Sequence, residues 1–294
     1  MTMIGCDLGS NTIRIVQMDC KTKTRVKEFE RIVKTGQDLS KTGIICDESI
    51  RNILDALSDA SQIIDFKSDK VKCITTQALR VAKNSTKVLA KIKSQFGLDF
   101  EIINGEQEAK YTIKGVKNSL QKQGLRDDDF ALFDLGGGST ELSYIKNDNI
   151  KTKSFPFGIL NVSQRYKSDL ENGIKEELKS LLSFSKNQSK SNFLVATAGT
   201  PTTVCAFMQG MDYNSYDHEK VNGKVLHVED FKKAYDLIVS MSVDEQERFC
   251  GTNRSELIKT GILIVVDLMQ GIGYEECIVI DDGLREGVAL SLCK

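Results

Sequence analysis

Two stretches of the 294-residue chain decide its fold: IGCDLGSNTIRIV at residues 4–16 and ALFDLGGGSTELS at residues 131–143. Each begins as an apolar strand, passes through Asp-Leu-Gly into a turn of small polar residues, and continues as a second, alternating strand. The second copy begins near the middle of the chain. This repetition indicates that one structural plan occurs twice.

The segments downstream of the two stretches also correspond. In each half a third strand candidate ends near a glycine, Gly36 or Gly158, and apolar residues at helical spacing follow it. In the first half this helix starts at Asp47, a residue type that caps helices. The paired strand candidates are residues 26–33 and 150–157, 71–76 and 193–197, and 100–103 and 277–280. The plan β-β-β-α-β-α-β-α therefore predicts two α/β domains rather than one doubly wound sheet.

The predicted domain boundary lies in a polar segment, residues 121–129, which contains a glycine and ends in three aspartates. We expect an N-terminal domain over residues 1–124 and a C-terminal domain over residues 125–294. The last helix, which begins near Gly283, is expected to pack back on the first domain.

Composition excludes several classes of protein. Forty Lys and Arg residues against 41 Asp and Glu give a net charge of −1, unlike a protein that coats nucleic acid. The two histidines, His218 and His227, make a histidine-based metal site a poor first hypothesis. The chain starts without the pattern of a signal peptide, and its longest apolar run, residues 261–266, is too short for a bilayer. We expect a cytoplasmic protein that binds neither membranes nor nucleic acid.

The eight cysteines form no Cys-x-x-Cys pair, so no zinc site is indicated. Most of them lie within apolar runs. The pattern therefore predicts reduced, buried thiols throughout.

The two Asp-Leu-Gly turns are candidate phosphate sites. Small residues after a buried strand let phosphate oxygens approach backbone N–H groups. Three consecutive glycines at residues 136–138 weaken a hairpin and so need a reason, although an ordinary tight turn is the alternative for either copy alone. The turns match neither a dinucleotide fingerprint nor a P-loop. A third candidate is ATAGTPTT at residues 196–203, but on its own this segment is better explained as a capped helix start with Pro201 near its first turn.

Charged residues cluster near these turns. Asp7 and Asp134 end apolar strands, where an unpaired carboxylate is costly, and a bound Mg²⁺ or a phosphate-bound water would give the charge a partner. Glu141, on the strand after the glycines, could join the same shell. Glu106 and Glu108 lie at a strand-to-helix junction, where helix capping is the alternative to a role as general base. The basic residues nearby are Arg14, Arg80 and Arg285. Arginine suits bidentate binding of phosphate, but a single arginine is more often a surface or ion-pair residue than a ligand contact.

Five motifs together carry a resemblance that spans essentially the whole chain. They are DLGSN at residues 7–11, TTQALR at 75–80, NGEQEA at 104–109, DLGGGSTE at 134–141 and GLREG at 283–287. With them the chain resembles the exopolyphosphatase/guanosine pentaphosphate phosphohydrolase (Ppx/GppA) family of the actin/Hsp70/sugar-kinase superfamily. The resemblance implies two ribonuclease H-like (actin-like ATPase) domains, each a five-stranded mixed sheet with helices, and a cleft between them. It implies the short, two-domain form of the family.

The resemblance also implies roles for individual residues. The family motif S-G-x-E-E-A places a water-activating glutamate at Glu108, while Asn104 and Gln107 depart from it. Asp134 is implied as a second catalytic residue. A Mg²⁺ cofactor would be held by Asp7, Asp134 and Glu141. The implied phosphate-binding residues are Gly9, Ser10, Asn11, Arg14, Thr76, Arg80, Gly136, Gly137, Gly138, Ser139, Gly199 and Thr200.

These roles predict a Mg²⁺-dependent exopolyphosphatase that hydrolyses the terminal phosphate of inorganic polyphosphate with a glutamate-activated water. The alternative within the family is removal of the 5′-phosphate of guanosine pentaphosphate (pppGpp). A remoter alternative is an ATP-dependent small-molecule kinase of the same superfamily, and a chaperone-like nucleotide switch is a third class. The expected partner is polyphosphate or pppGpp, and a homodimer is an expectation from the resemblance alone.

Overall fold

The computed structural model describes residues 1–67 and 69–293, and these divide into two units. The first unit is Met1–Asn118 together with Asp282–Lys294, and the second unit is Ser119–Asp281. The chain therefore crosses between the units twice, the first time within a helix.

The first unit is built on a five-stranded mixed sheet. Its strands are β1 (Thr2–Leu8), β2 (Thr12–Asp19), β3 (Arg25–Ile32), β4 (Lys70–Thr75) and β5 (Phe100–Ile102). Their order is β3-β2-β1-β4-β5, with β1, β2 and β3 antiparallel and β4 and β5 parallel to β1. The helices are α1 (Leu39–Thr42), α2 (Asp47–Ile63), α3 (Gln77–Val81), α4 (Ser85–Phe96) and α5 (Gly105–Lys122). The predicted helix start at Asp47 is found there, but Cys46 rather than Asp47 is the N-cap residue.

The second unit repeats this plan with additions. Its strands are β6 (Asp129–Leu135), β7 (Thr140–Lys146), β8 (Asn149–Phe155), β9 (Leu194–Thr197), β10 (Lys224–His227) and β11 (Glu276–Val279). Their order is β10-β11-β9-β6-β7-β8. The helices are α6 (Ile159–Arg165), α7 (Leu170–Lys186), α8 (Gly199–Met208), α9 (His218–Val221), α10 (Val228–Ser240), α11 (Val243–Cys250) and α12 (Ser255–Ile272). The last helix, α13 (Leu284–Leu290), belongs to the first unit.

The prediction of two α/β domains with mixed sheets is confirmed, but the second sheet has six strands rather than five. The additional strand is β10, which pairs antiparallel with β11 at the edge of the sheet. Its four residues are mostly exposed, so they lack the apolar alternation by which the other strands were predicted.

The core of the first unit follows from the period of two in β1. Ile4, Cys6 and Leu8 are fully buried and pack with the apolar face of α2 and α4. Gly5 lies between them and faces α13, where an added Cβ would be 2.3 Å from the carbonyl oxygen of Arg285. A glycine is therefore required at position 5, since only a residue without a side chain lets α13 approach β1 this closely.

In the second unit the core lies against α12, which is buried along most of its length. Phe133 and Leu142, from β6 and β7, are fully buried and belong to one apolar cluster with residues of α7, α8 and α12. This cluster explains the apolar run at residues 261–266, which is core rather than membrane span. Among the described residues, no helix is both long enough and apolar enough to cross a bilayer.

Buried ion pairs hold α13 to the rest of the first unit. The Arg25 guanidinium lies 2.6 Å from Asp282 and 3.1 Å from Glu286, and Arg285 Nε lies 2.6 Å from the same Glu286 oxygen. Arg285 also pairs with Glu28 at 3.1 Å. Arg285, a basic candidate from the sequence, is thus engaged in a structural network and is only 7% exposed.

The prediction that all cysteines are reduced is wrong for two of them. Cys20 and Cys293 form a disulfide, and the other six cysteines are free. Cys20 follows β2 and Cys293 follows α13, so the bond ties the end of the chain to the β2–β3 hairpin. Spacing could not reveal this pair, because the two residues are 273 positions apart and meet only in the folded unit.

Most of the free thiols are buried, as predicted. Burial raises the pKa of the Cys205 thiol and of the Cys250 thiol to about 11. It also raises the pKa values of Cys6 and Cys277. These four thiols are therefore protonated at neutral pH and are unsuited to act as nucleophiles.

Candidate active site

In the first unit, the predicted site residues follow the carboxyl ends of three neighbouring parallel strands. The turn at residues 9–12 follows β1, Thr76 and Arg80 follow β4, and residues 104–108 follow β5. Because β1, β4 and β5 run parallel, their carboxyl ends lie at one edge of the sheet. The fold of this unit thus brings these predicted residues to the same edge.

The turn at residues 9–12 is tied down by its own backbone. The Gly9 amide donates to the Thr12 carbonyl at 3.0 Å and so closes the turn. The Ser10 carbonyl accepts from the Gly36 amide at 2.6 Å. In a planar trans peptide the N–H points opposite to the C=O, so the Asn11 N–H faces away from Gly36. Because the Gly9 amide is already used within the turn, only the backbone amides after Gly9 could donate a hydrogen bond to a ligand.

The corresponding turn of the second unit, which we call the glycine turn, comprises residues 136–139. The Gly136 amide donates to the Ser139 carbonyl at 3.0 Å, as Gly9 does to Thr12 in the first unit. The carbonyls of Gly136 and Gly137 accept from the first two amides of α6, at 3.0 and 2.8 Å. The Gly138 carbonyl accepts from the Asn161 side chain at 3.0 Å.

Three successive carbonyls of the glycine turn thus point toward α6. By the same peptide geometry, the N–H groups of Gly137, Gly138 and Ser139 point away from α6. A run of backbone N–H groups with one orientation forms a concave site for an anion. A glycine is needed at position 158, where α6 begins, because a Cβ there would be 2.5 Å from the Gly136 oxygen.

Two carboxylates flank the glycine turn in the second unit. Asp134 and Glu141 are direct partners in the antiparallel β6–β7 ladder, so their side chains lie on the same face. Glu141 is 3% exposed, and its Oε1 accepts a 2.6 Å hydrogen bond from the Ser154 hydroxyl. A pair of hard oxygen donors held in this way suits Mg²⁺.

The first unit differs at the corresponding pair. The ladder partner of Asp7 is Arg14, which places a guanidinium where the second unit has the Glu141 carboxylate. Arg14 Nε also lies 3.1 Å from Glu30 on β3. The residue opposite the aspartate therefore carries a positive charge in the first unit and a negative charge in the second. Of the residues described, no group of three or more His, Cys, Asp or Glu side chains is arranged to hold a metal. The predicted set of Asp7, Asp134 and Glu141 stays a prediction.

Glu108 lies in the first turn of α5 and is 7% exposed. The helix start is fixed by a reciprocal pair of amide side chains. Asn104 Oδ1 accepts from the Gln107 backbone amide at 2.9 Å, and Gln107 Oε1 accepts from the Asn104 amide at 3.0 Å. This is a capping box formed by neutral residues. Asn104 and Gln107, the two departures from the family motif, therefore bond to each other. Comparing the motif one position at a time did not reveal this pairing.

Arg80 holds the Glu108 carboxylate. Its Nη2 lies 2.9 Å from Glu108 Oε2, while Nε donates to the Ile103 carbonyl at 2.9 Å and Nη1 to Gln77 Oε1 at 3.0 Å. The guanidinium is therefore fixed on three sides and places its positive charge against the Glu108 carboxylate. Glu106, by contrast, is exposed and pairs with Lys110 at 2.9 Å, as expected of a residue in a helix N-terminal turn.

The third predicted element begins α8. Gly199 is the first residue of this helix, and Ala198 before it has a positive φ of 77°. Thr200 is fully buried, and a Cβ at Gly261 of α12 would lie 2.1 Å from its hydroxyl oxygen. The Thr200 side chain therefore packs against α12. The Gly199 amide remains on the same sheet edge as the glycine turn, because β6 and β9 are parallel.

Sequence reasoning missed Asn161, although it noted Gly158. The sequence contained a signal for it, the pattern Gly-x-x-Asn at residues 158–161. In a capping box, the side chain at the third helical position accepts a hydrogen bond from the backbone N–H of the N-cap residue, here Gly158. Only the structure shows that the same side chain reaches the glycine turn.

Comparison with known proteins identifies the class. A model of the Ppx/GppA phosphatase family matches residues 15–294. The chain therefore belongs to this family of phosphatases, as its motifs predicted. Curated relatives named as an exopolyphosphatase and as a guanosine-5'-triphosphate,3'-diphosphate pyrophosphatase bear the names of phosphoanhydride hydrolases.

Three curated relatives illustrate the range of the family. The chain is 24% identical to Exopolyphosphatase 2 of Mycobacterium tuberculosis, and the alignment covers 97% of both proteins. It is 28% identical to the Bifunctional 3-dehydroquinate synthase/phosphatase of Fusobacterium nucleatum, but spans only 45% of that protein's length. It is 23% identical to the Guanosine-5'-triphosphate,3'-diphosphate pyrophosphatase of Pseudoalteromonas translucida and spans 58% of its length.

Solved structures agree on the fold. The Aquifex aeolicus member of the Ppx/GppA family superposes with a TM-score of 0.78 at 30% identity, covering 99% of this chain and 97% of that one. An exopolyphosphatase from Cytophaga hutchinsonii superposes with a TM-score of 0.86, covering 100% and 98% of the two chains. At 21% identity the latter shows the fold alone.

Proposed function

We propose that this protein is an exopolyphosphatase that removes the terminal phosphate of inorganic polyphosphate by hydrolysis. The observation that carries the proposal is the glycine turn, in which three successive N–H groups face one way beside the Asp134–Glu141 pair. The N–H groups suit phosphate oxygens, which every terminal unit of a polyphosphate chain offers, and the carboxylate pair suits a cation that would neutralise them. The similarity to Exopolyphosphatase 2, at 24% identity with an alignment that covers 97% of both proteins, supports polyphosphate as the substrate.

The proposed metal is Mg²⁺, for which Asp134 and Glu141 supply suitable carboxylate oxygens in the second unit. When bound, it would supply neutralisation of the negative charge on the phosphate oxygens. The N–H groups of Gly137, Gly138 and Ser139 would bind and orient the terminal phosphoryl group. The hydrogen bond from Ser154 keeps Glu141 in place for this role.

Glu108 is the proposed general base. In this step the Glu108 carboxylate accepts a proton from water, and the water oxygen bonds to the terminal phosphorus. The bond from that phosphorus to the bridging oxygen breaks, and the oxygen keeps the electron pair and becomes the new end of the shortened chain. Arg80 orients the carboxylate through the 2.9 Å ion pair. The capping box of Asn104 and Gln107 fixes the backbone that carries Glu108.

A second candidate is hydrolysis of pppGpp to release its terminal 5′-phosphate. The similarity to a Guanosine-5'-triphosphate,3'-diphosphate pyrophosphatase over 97% of the chain favours it. Its substrate ends in the same triphosphate group, so the roles of Glu108 and the glycine turn would be the same. The remoter kinase alternative would instead form ADP from ATP in step with a phosphorylated acceptor.

The test is phosphate release from polyphosphate, pppGpp and ATP by one preparation under identical conditions, with Mg²⁺ and with EDTA. We expect release from polyphosphate that EDTA abolishes and added Mg²⁺ restores. A preparation that cleaves pppGpp but not polyphosphate would establish the second candidate instead. Turnover of ATP to ADP only with an acceptor present would contradict both hydrolase proposals.

A further inference from the structure

We propose that Asn161 is a positioning residue for the glycine turn, and that it aims the Ser139 N–H group at the terminal phosphate. The inference rests on the proposed function, because it assigns Asn161 a task in binding the same substrate. Nothing in the family motifs quoted above points to this residue. It lies in α6, outside the turn that it holds.

The Asn161 side chain makes two kinds of hydrogen bond at once. Its Oδ1 accepts from the Gly158 amide at 2.7 Å, which caps α6. Its Nδ2 donates to the Gly138 carbonyl at 3.0 Å and also lies 3.4 Å from the Pro156 carbonyl. One amide group therefore joins the end of β8, the start of α6 and the glycine turn.

Asn161 holds one peptide of the glycine turn, the one that joins Gly138 to Ser139. The carbonyls of Gly136 and Gly137 are held by the backbone amides of Ile159 and Leu160, which no substitution at 161 removes. The Gly138 carbonyl is held by the Asn161 side chain. The next N–H in the chain, that of Ser139, points opposite to this carbonyl. Loss of the Asn161 donor would thus free the Gly138–Ser139 peptide and leave the two preceding peptides in place.

The chemistry of position 161 requires both a donor and an acceptor. Aspartate would keep the bond to the Gly158 amide but would have no N–H for the Gly138 carbonyl. Its negative charge would also stand beside a turn proposed to hold phosphate. Alanine would lose both bonds, and the cap as well. The two variants are therefore complementary: Asn161→Asp preserves the helix start but adds a charge, and Asn161→Ala removes the hold on the turn without adding one.

The experiment compares Asn161→Asp and Asn161→Ala with Asn172→Ala. Asn172 is a matched control, since it is an exposed asparagine near the start of α7 whose amide pairs only locally, with Asp169. Three quantities are measured: kcat and KM for tripolyphosphate, its Kd in a Glu108→Gln background, and hydrogen exchange of the segment 134–142.

We expect Asn161→Asp and Asn161→Ala to weaken tripolyphosphate binding about five- to tenfold, the effect of one lost hydrogen bond, and Asp to weaken it more through its charge. Exchange in the segment 134–142 should accelerate, while thermal stability of Asn161→Asp stays near that of the wild type. Asn172→Ala should match the wild type in every respect.

Two different failures are distinguishable. If the wild type cleaves tripolyphosphate and Asn161→Asp binds and exchanges like the wild type, the role of Asn161 is refuted while the proposed function stands. If the wild type neither binds nor cleaves tripolyphosphate, the proposed function fails and the inference fails with it.

Discussion

Arg80 and Glu108 are joined by an ion pair of 2.9 Å, and Glu108 is nearly buried at the first turn of α5. The same guanidinium is bound by the Ile103 carbonyl and by Gln77. Arg80 therefore sets the direction of the Glu108 carboxylate. In the proposed mechanism this makes Arg80 a positioning residue for the general base.

The first prediction is that Arg80→Lys loses most of the activity while the protein stays folded. Lysine keeps the positive charge, but an ammonium group on a flexible chain cannot replace the planar, three-way contact. We expect kcat to fall by at least about tenfold, measured as phosphate release from polyphosphate. Arg51→Lys, at an exposed position on α2, is the matched control. Equal turnover in the two variants would refute the positioning role.

The second prediction concerns the ion-pair network under α13. Arg25→Met removes a partner from Asp282 and from Glu286, whose side chains are 6% and 1% exposed. Leaving buried carboxylates with less compensation should lower the free energy of unfolding by about 3–5 kcal/mol. Urea denaturation measures this change.

Arg126→Met provides the comparison for the network. Arg126 is 69% exposed and pairs with Asp128 at 3.1 Å, so its removal should lower the free energy of unfolding much less than Arg25→Met does. Similar losses of stability in Arg25→Met and Arg126→Met would contradict the prediction that a buried ion pair contributes more to stability than an exposed one.

The third prediction concerns the disulfide between Cys20 and Cys293. Thiol titration in denaturant should find six reactive groups before reduction and eight after it, given the six free cysteines. The double variant Cys20→Ser/Cys293→Ser should be less stable by about 2–5 kcal/mol under oxidising conditions. Cys46→Ser, at a half-buried free cysteine, serves as control. Eight reactive thiols without reductant would rule the bond out.

The fourth prediction is a pH dependence at Asp212. Hydrogen bonds from Ser215 and the nearby Arg248 guanidinium lower the pKa of Asp212 from 3.8 to about 2. Because the folded-state pKa is depressed, the ionised carboxylate stabilises the fold above pH 3.8, and this stabilisation is lost as the pH falls toward 2. The urea midpoints of the wild type and Asp212→Asn should differ at pH 5 and converge toward pH 2.

Asp148→Asn, in the exposed turn between β7 and β8, is the control for the pH series. Its midpoint should follow that of the wild type. A difference between wild type and Asp212→Asn that stays constant from pH 5 to pH 2 would contradict the assigned cause.

The sequence predicted the paired hairpins well because their signals are local. Alternation in β1 and β2, and again in β6 and β7, follows from a side-chain period of two, and the Asp-Leu-Gly turn marks where each hairpin bends. The strand β10 was not predicted, since four mostly exposed residues carry no such pattern.

Contacts between distant residues were beyond sequence reasoning. Arg80 was predicted as a contact for a polyanion, and its bond to Glu108 depends on how β4 and β5 lie side by side. The Cys20–Cys293 bond likewise depends on α13 returning to the first unit. The motif comparison did name Glu108 and the glycine turn, because each is a compact run of residue types. The hydrogen bond from Asn161 to that turn joins residues 23 positions apart and is visible only in the folded structure.

The most direct test of the account compares Glu108→Gln with Glu106→Gln in polyphosphate hydrolysis. The two glutamates lie two positions apart in α5, but Glu108 is buried against Arg80 and Glu106 is exposed beside Lys110. With circular dichroism confirming that both variants fold, kcat should fall by about 10²–10⁴-fold for Glu108→Gln and stay near wild type for Glu106→Gln. Wild-type turnover by Glu108→Gln would contradict the proposal that Glu108 activates the attacking water.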